Sequence, residues 1–158
     1  MKSIEVNITK QRMIVFDSGN VIREYMISTA RNGAGEEFGS EKTPRGKHIV
    51  RAKIGNNLPI NSVLVGRRPT GEIFEPGMRA LFPDRDWILT RIFWLSGLEK
   101  GKNRLGNVDT MRRYIYIHGA PDDISMGTPG SRGCIRMNNH DIIELFELIP
   151  VGTTITIQ

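Results

Sequence analysis

RYIYIHGA, residues 113–120, alternates Tyr114, Tyr116 and His118 with Ile115 and Ile117, then stops at a glycine. A period of two marks a strand with one face turned to a core. The isoleucines are expected to enter that core. His118 is then expected on the more polar face, at the strand end beside Gly119.

Working outward, the same pattern recurs through most of the chain. Ile4, Val6 and Ile8 alternate at the start, and RMIVFD and VIREYMIST flank the turn DSGN at 17–20, which predicts a hairpin. HIVRAKIG at 48–55 and SVLVGR at 62–67 read as strands, and PTGEIFEPG at 69–77 as turns around a short extended piece. DWILTRIFWL at 86–95 is apolar on both parities around Arg91, which is expected to be either an ion-paired buried residue or a pocket residue. TTITIQ closes the chain as a last strand. Only HDIIELFELI, 140–149, carries a helical period, with Asn139 as its expected cap and Pro150 and Gly152 as its stop. The stretch 31–47 is glycine-rich and charged, without period, and a loop of that length in a small domain asks for a reason.

These elements predict one mainly β domain over residues 1–158, a compact sandwich or barrel with one principal helix near its C-terminal end. No dinucleotide or phosphate loop is present. Twenty-two Lys and Arg against seventeen Asp and Glu give a net charge of +5, which favours anionic partners without naming one. No basic stripe interleaved with aromatics and no recognition helix points to nucleic acid. No run approaches a membrane span, and MKSIEVNITK has no apolar signal core. The expectation is a cytoplasmic protein, or an exported one whose signal has been removed.

Cys134 is the single cysteine, so no disulfide forms within the chain. It sits in SRGCIRM, 131–137, sixteen residues after His118. Three readings stand: a small buried hydrophobe, a redox or metal thiol, or a nucleophile. Metal binding has little behind it, because His48, His118 and His140 have no ligand spacing with Cys134. His48 reads as structural and His140 as a helix-start residue. A nucleophile would need an imidazole to take its proton and an acceptor to fix that imidazole's tautomer. The turn-rich stretch APDDISMGTPG can fold back to bring His118 to Cys134, and amides at Gly133 and Cys134 are candidates for an oxyanion hole.

YIHG at 116–119, MGTPGSRGCIRMNNHD at 126–141, VGTTITI at 151–157 and KTPRGKH at 42–48 resemble the YkuD-type L,D-transpeptidase catalytic domain, in that family's motif order. The stretch 90–119 is similar as well, so the likeness spans nearly the whole chain. The resemblance implies a β-rich domain in which Cys134 is the nucleophile and His118 the base. Gly119 supplies the backbone carbonyl that orients the ring, and Gly133 and Cys134 supply oxyanion amides. Ser131 and Arg136 match motif positions expected to support the site or meet substrate. Arg132 stands where many members have a histidine; it is expected either to hold a substrate carboxylate through its guanidinium fork or to be a solvated loop residue. Thr43, Pro44 and Gly46 are expected to be structural.

What the resemblance implies functionally is attack on a peptidoglycan tetrapeptide stem, loss of D-alanine, and a Cys134 thioester. The acceptor would be another stem peptide, a lipoprotein lysine or water, the last making an L,D-carboxypeptidase. A non-catalytic wall-binding domain is the rival class. No metal or organic cofactor is implied. Such a role places the protein in the periplasm or cell envelope, although this sequence shows no export signal.

Overall fold

Ile4 and Val6 point one way from β1 (Lys2–Asn7), and Met13 and Val15 do so from β2 (Arg12–Asp17); all four are essentially inaccessible to solvent. In this computed structural model, which describes residues 1–158, that alternation builds a continuous ten-stranded sheet. β1 and β2 pair antiparallel, and β2 pairs likewise with β3 (Asn20–Met26) around the expected turn. On its other edge β1 meets β10 (Thr154–Ile157) in parallel, so the two ends of the chain lie side by side. β10 pairs with β4 (Gly46–Ile54), and β4 with β7 (Ile88–Gly97).

β7 is the branching strand. It also pairs with β5 (Ser62–Val65), which carries β6 (Arg68–Ile73) at the edge, and with β8 (Tyr116–Gly119). Its apolar residues of both parities follow from this position, since both faces are covered. β9 (Ile135–Met137) joins β8 in parallel. Sheet and helix close over a core of nineteen buried apolar residues, to which Ile115 and Ile117 contribute as expected. Tyr116 lies on the other side, in a smaller cluster with Leu64 and Ile92, against which Cys134 packs. The second face of β8 is therefore an interior layer, and His118 is fully buried on it, not placed on a polar surface.

The longer helix is α2 (Asn139–Leu148), which buries Ile142, Leu145 and Phe146. Each such side chain contributes about 1.5–3 kcal/mol by leaving water. Its cap is Asn138, not Asn139: the Asn138 side chain accepts the His140 N–H at 2.9 Å. Asn138 has the non-helical backbone a cap needs, with φ −57° and ψ 145°, whereas Asn139 has already entered the helix and turns inward. α1 (Pro76–Leu81) and β9 were not expected. α1 is a six-residue turn with no buried residue, so it has no apolar period to betray it. Three-residue β9 is too short to show alternation. Arg91 is not ion-paired: Nη1 donates to the Leu58 and Thr90 carbonyls, both at 2.8 Å, and the guanidinium lies 5.4 Å from the Phe146 ring centroid. His48 is structural, held between the Gly46 carbonyl at 3.0 Å and Thr110 Oγ1 at 2.9 Å.

Candidate active site

The β8–β9 register sets His118 opposite Arg136. Cys134 lies two residues before Arg136, so strand parity turns its side chain toward the same face as His118. The turn-rich stretch does fold back as the sequence suggested. The sulfur's hydrogen bonds go to backbone, however. Cys134 Sγ accepts the Tyr116 N–H at 3.3 Å, and its S–H points at the Tyr114 carbonyl at 3.5 Å. No hydrogen bond joins it directly to His118.

His118 Nδ1 lies 2.6 Å from the Gly119 carbonyl, which can only accept, so Nδ1 carries the proton. Nε2 is buried and has no hydrogen-bond partner. Burial lowers the imidazole's pKa from its ordinary value; the Asp86 carboxylate and the Gly119 bond work against that, and Arg136 works with it. Burial also pushes the Cys134 thiol up to about 12, with Asp86 adding to the rise, while the Tyr116 N–H, Arg136 and Arg113 oppose it. Both shifts favour the neutral forms, a thiol and an imidazole whose Nε2 lone pair is open. Burial disfavours the charged form of each partner, the thiolate as much as the imidazolium.

The turn that presents Cys134 is braced from several sides. Ser131 Oγ donates to the Cys134 carbonyl at 2.5 Å and accepts the Gly133 N–H at 3.2 Å. Thr43 Oγ1 donates to the Gly133 carbonyl and accepts the Ala30 N–H, both at 2.9 Å. Gly133 has φ +130°, and a Cβ there would stand 3.2 Å from Ile115 Cδ1 and 3.3 Å from the Lys42 carbonyl, so only glycine suits it. The Gly133 N–H is thereby engaged, whereas the Cys134 N–H makes no hydrogen bond within the protein.

Ser131, Arg132 and Arg136 line one cleft of about 420 Å³, together with Arg31, Arg79, Arg85 and Asp86 among others. Arg136 is largely buried, donating to the Gly130 carbonyl at 3.1 Å and lying 3.5 Å from Asp86. Arg132 is exposed, and its only partner is the Asp84 carbonyl at 3.1 Å. No group of three or more His, Cys, Asp or Glu is gathered to hold a metal. Sequence reasoning missed Asp86 and Arg113, whose charges reach the thiol. It also missed Arg31, Arg79 and Arg85. The only signal was a charge at the head of an apolar strand for Asp86, and one at the start of RYIYIHGA for Arg113.

Several known proteins are similar to this chain. A Bacillus subtilis protein assigned as the L,D-transpeptidase YkuD is 46% identical over 47 residues, which is 30% of this chain and 29% of that protein. A second Bacillus subtilis protein, assigned as the L,D-transpeptidase YqjB, is 49% identical over 45 residues, 28% of this chain and 26% of its own length. These matched segments cover under a third of either relative. In fold, 99% of the chain superposes on 58% of an L,D-transpeptidase from Mycobacterium smegmatis, with a TM-score of 0.59 and 20% identity. It superposes equally on 60% of L,D-transpeptidase 3 from Mycobacterium tuberculosis, with a TM-score of 0.61 and 16% identity. The L,D-transpeptidase catalytic domain, YkuD, matches residues 1–157 as a family model. The chain belongs to the L,D-transpeptidase catalytic domain family.

Proposed function

We propose that this chain is an L,D-transpeptidase that acts on peptidoglycan tetrapeptide stems through a Cys134 thioester, with release of D-alanine. Residues 1–158 would form its catalytic domain. The observation that carries the reading is a buried imidazole, on the face toward which strand parity turns the Cys134 thiol, whose Nδ1 is tied to the Gly119 carbonyl and whose Nε2 is left free. Nε2 takes the thiol proton as sulfur attacks the carbonyl of the stem's third residue. The carbon–sulfur bond forms as the carbonyl π electrons move to oxygen. The free Cys134 N–H meets that oxyanion. The Gly133 amide joins it only when Ser131 Oγ releases it. The tetrahedral intermediate collapses, and His118 returns the proton to the departing D-alanine nitrogen. The acceptor amine then attacks the thioester with His118 again as base.

Burial makes free charge costly on either partner, so proton transfer accompanies attack instead of preceding it. Asp86 stabilises the imidazolium formed in that step, since it already favours the charged ring. Arg132, solvent-exposed and without a carboxylate partner, offers its guanidinium to a substrate carboxylate from the cleft rim. Ser131 acts by bracing the nucleophile turn, with its hydroxyl committed to backbone on both sides. Stem peptides, and a lipoprotein lysine as a rival acceptor, are the proposed partners, and the cell envelope is the proposed site of action. No helix is long and apolar enough to cross a membrane. L,D-transpeptidase 3 of Mycobacterium tuberculosis has been solved with a faropenem-derived adduct, so acylation of Cys134 by such β-lactams is expected too.

The test is D-alanine release from tetrapeptide muropeptides. Cys134→Ala is expected to abolish it while the domain stays folded. Release that survives this change overturns the reading.

A further inference from the structure

Asn139 neither caps α2 nor touches the thiol or the imidazole by hydrogen bond, yet it is wholly buried. Its amide is fully used. Nδ2 donates to Asn61 Oδ1 at 2.8 Å and to the Ala120 carbonyl at 2.9 Å, with Asp122 Oδ1 at 3.4 Å. Oδ1 accepts the Thr90 hydroxyl at 2.7 Å, and Thr90 Oγ1 accepts the Asn61 N–H at 3.0 Å.

Thr90 itself is strained. Its φ is +73°, a region β-branched residues avoid and occupy only where their surroundings over-determine it. The strain sits at a particular place. β7 pairs Leu89 with Gly119 and then Ile92 with His118, so Thr90 and Arg91 are extra residues opposite the His118–Gly119 peptide. Bulges of this kind re-aim the neighbouring strand. Gly119 is packed against this one: a Cβ there would run into Asn139 Oδ1, come within 2.7 Å of the Leu89 carbonyl and lie 3.2 Å from Thr90 Cβ.

We propose that Asn139 and Thr90 are positioning residues that clamp the Gly119–Ala120 backbone against the β7 bulge. Clamped there, the Gly119 carbonyl keeps the proton on Nδ1 of His118 and leaves Nε2 unprotonated. The tautomer of a neutral imidazole is set by the bond its other nitrogen makes. If the Gly119 carbonyl swings away, the proton is free to occupy Nε2, and that nitrogen becomes a donor where an acceptor is needed. Asparagine suits the post because it donates to Ala120 and Asn61 while accepting from Thr90; aspartate would lose the donors and alanine everything. The effect on turnover rests on the reading of His118 as base, but the tautomer claim does not.

The test is long-range proton–nitrogen NMR of the His118 ring at neutral pH, with its signals assigned by their loss in His118→Ala. Wild-type protein is expected to show the single Nδ1–H tautomer, and Thr90→Ser, which keeps the hydroxyl, is expected to match it. Asn139→Ala and Thr90→Gly are expected to show mixed tautomers. Their kcat for D-alanine release should fall by roughly 10- to 100-fold with KM within about twofold, the signature of misplacement near the reacting atoms. Glycine accepts a φ of +73° freely, so Thr90→Gly removes the clamp without adding strain and decides the matter should Asn139→Ala not fold. A wild-type ring protonated on Nε2, or a folded Thr90→Gly that keeps the pure Nδ1–H form, overturns the proposal. Full D-alanine release by His118→Ala instead overturns the reading of His118 as base, whatever the tautomer result.

Discussion

At Cys134 the surroundings raise the thiol's pKa instead of lowering it, so any reactivity has to come from geometry. The residue's half-buried side chain packs against Leu64, Ile92 and Tyr116, and desolvation there pushes the thiol up to about 12. The thiolate fraction at neutral pH is therefore very small, and alkylation of the free protein by iodoacetamide should be slow at pH 7. Its rate should rise about tenfold per pH unit through pH 10 without a plateau. A plateau below pH 8 would show a preformed ion pair and contradict this account of the resting site. SRGCIRM and YIHG made Cys134, His118 and Gly119 legible in the sequence because a motif and a strand parity are both local. Asp86, Arg113 and Asn139 were not legible, because each acts on a residue far away in the chain. Asn139 shows why: beside Asn138 it read as a helix cap, and only the start of α2 at Asn139 itself, one residue earlier than a cap at 139 would place it, frees the side chain to face Thr90 and Ala120.

Among the elements, α2 separates stability from chemistry at adjacent positions. Asn138 satisfies an N–H at the helix start, so Asn138→Ala should cost about 1 kcal/mol of unfolding free energy in urea titration. Turnover should be unaffected, and a large loss of kcat in that variant would mean the cap also governs the site. The strands that alternate cleanly, β1, β2 and β10, matched expectation because each has one face on the main core. β7 was visible as an apolar run, but its bulge was not. Thr90 has no sequence feature that announces a positive φ, and the conformation is imposed by Asn61 and Asn139 from other parts of the fold. The long stretch 31–47 has its reason in Thr43, which bridges Ala30 to the Gly133 carbonyl and so supports the turn that carries Cys134.

On the scale of the whole molecule, two buried histidines are expected to make the fold acid-sensitive. His48 is lowered from 6.5 to about 4 by desolvation, and His118 is lowered for the same first reason. Between pH 6.5 and 4 the unfolded chain therefore binds more protons than the folded one, and stability falls as pH falls. His48 alone accounts for about 3 kcal/mol by pH 4. Urea titrations at pH 7 and pH 4.5 should show this loss, and His48→Gln should shrink it; an unchanged midpoint between the two pH values in the wild type would contradict it. The net charge of +5 and the arginine-lined cleft suit a carboxylate-bearing polymer, though the charge total by itself selected no partner. The mainly β class was legible because period-two segments fill the chain. The meeting of β8 and β9 depends on a parallel pairing that no local pattern encodes. The central claim is that Cys134 becomes acylated by a peptide stem, and intact-protein mass spectrometry after incubation with a tetrapeptide donor tests it most directly. The predicted result is a tripeptidyl adduct on wild-type protein, the donor less D-alanine, that is absent from Cys134→Ala and disappears when an acceptor amine is added. D-alanine released without any adduct attributable to Cys134, or an equal adduct on Cys134→Ala, would contradict it.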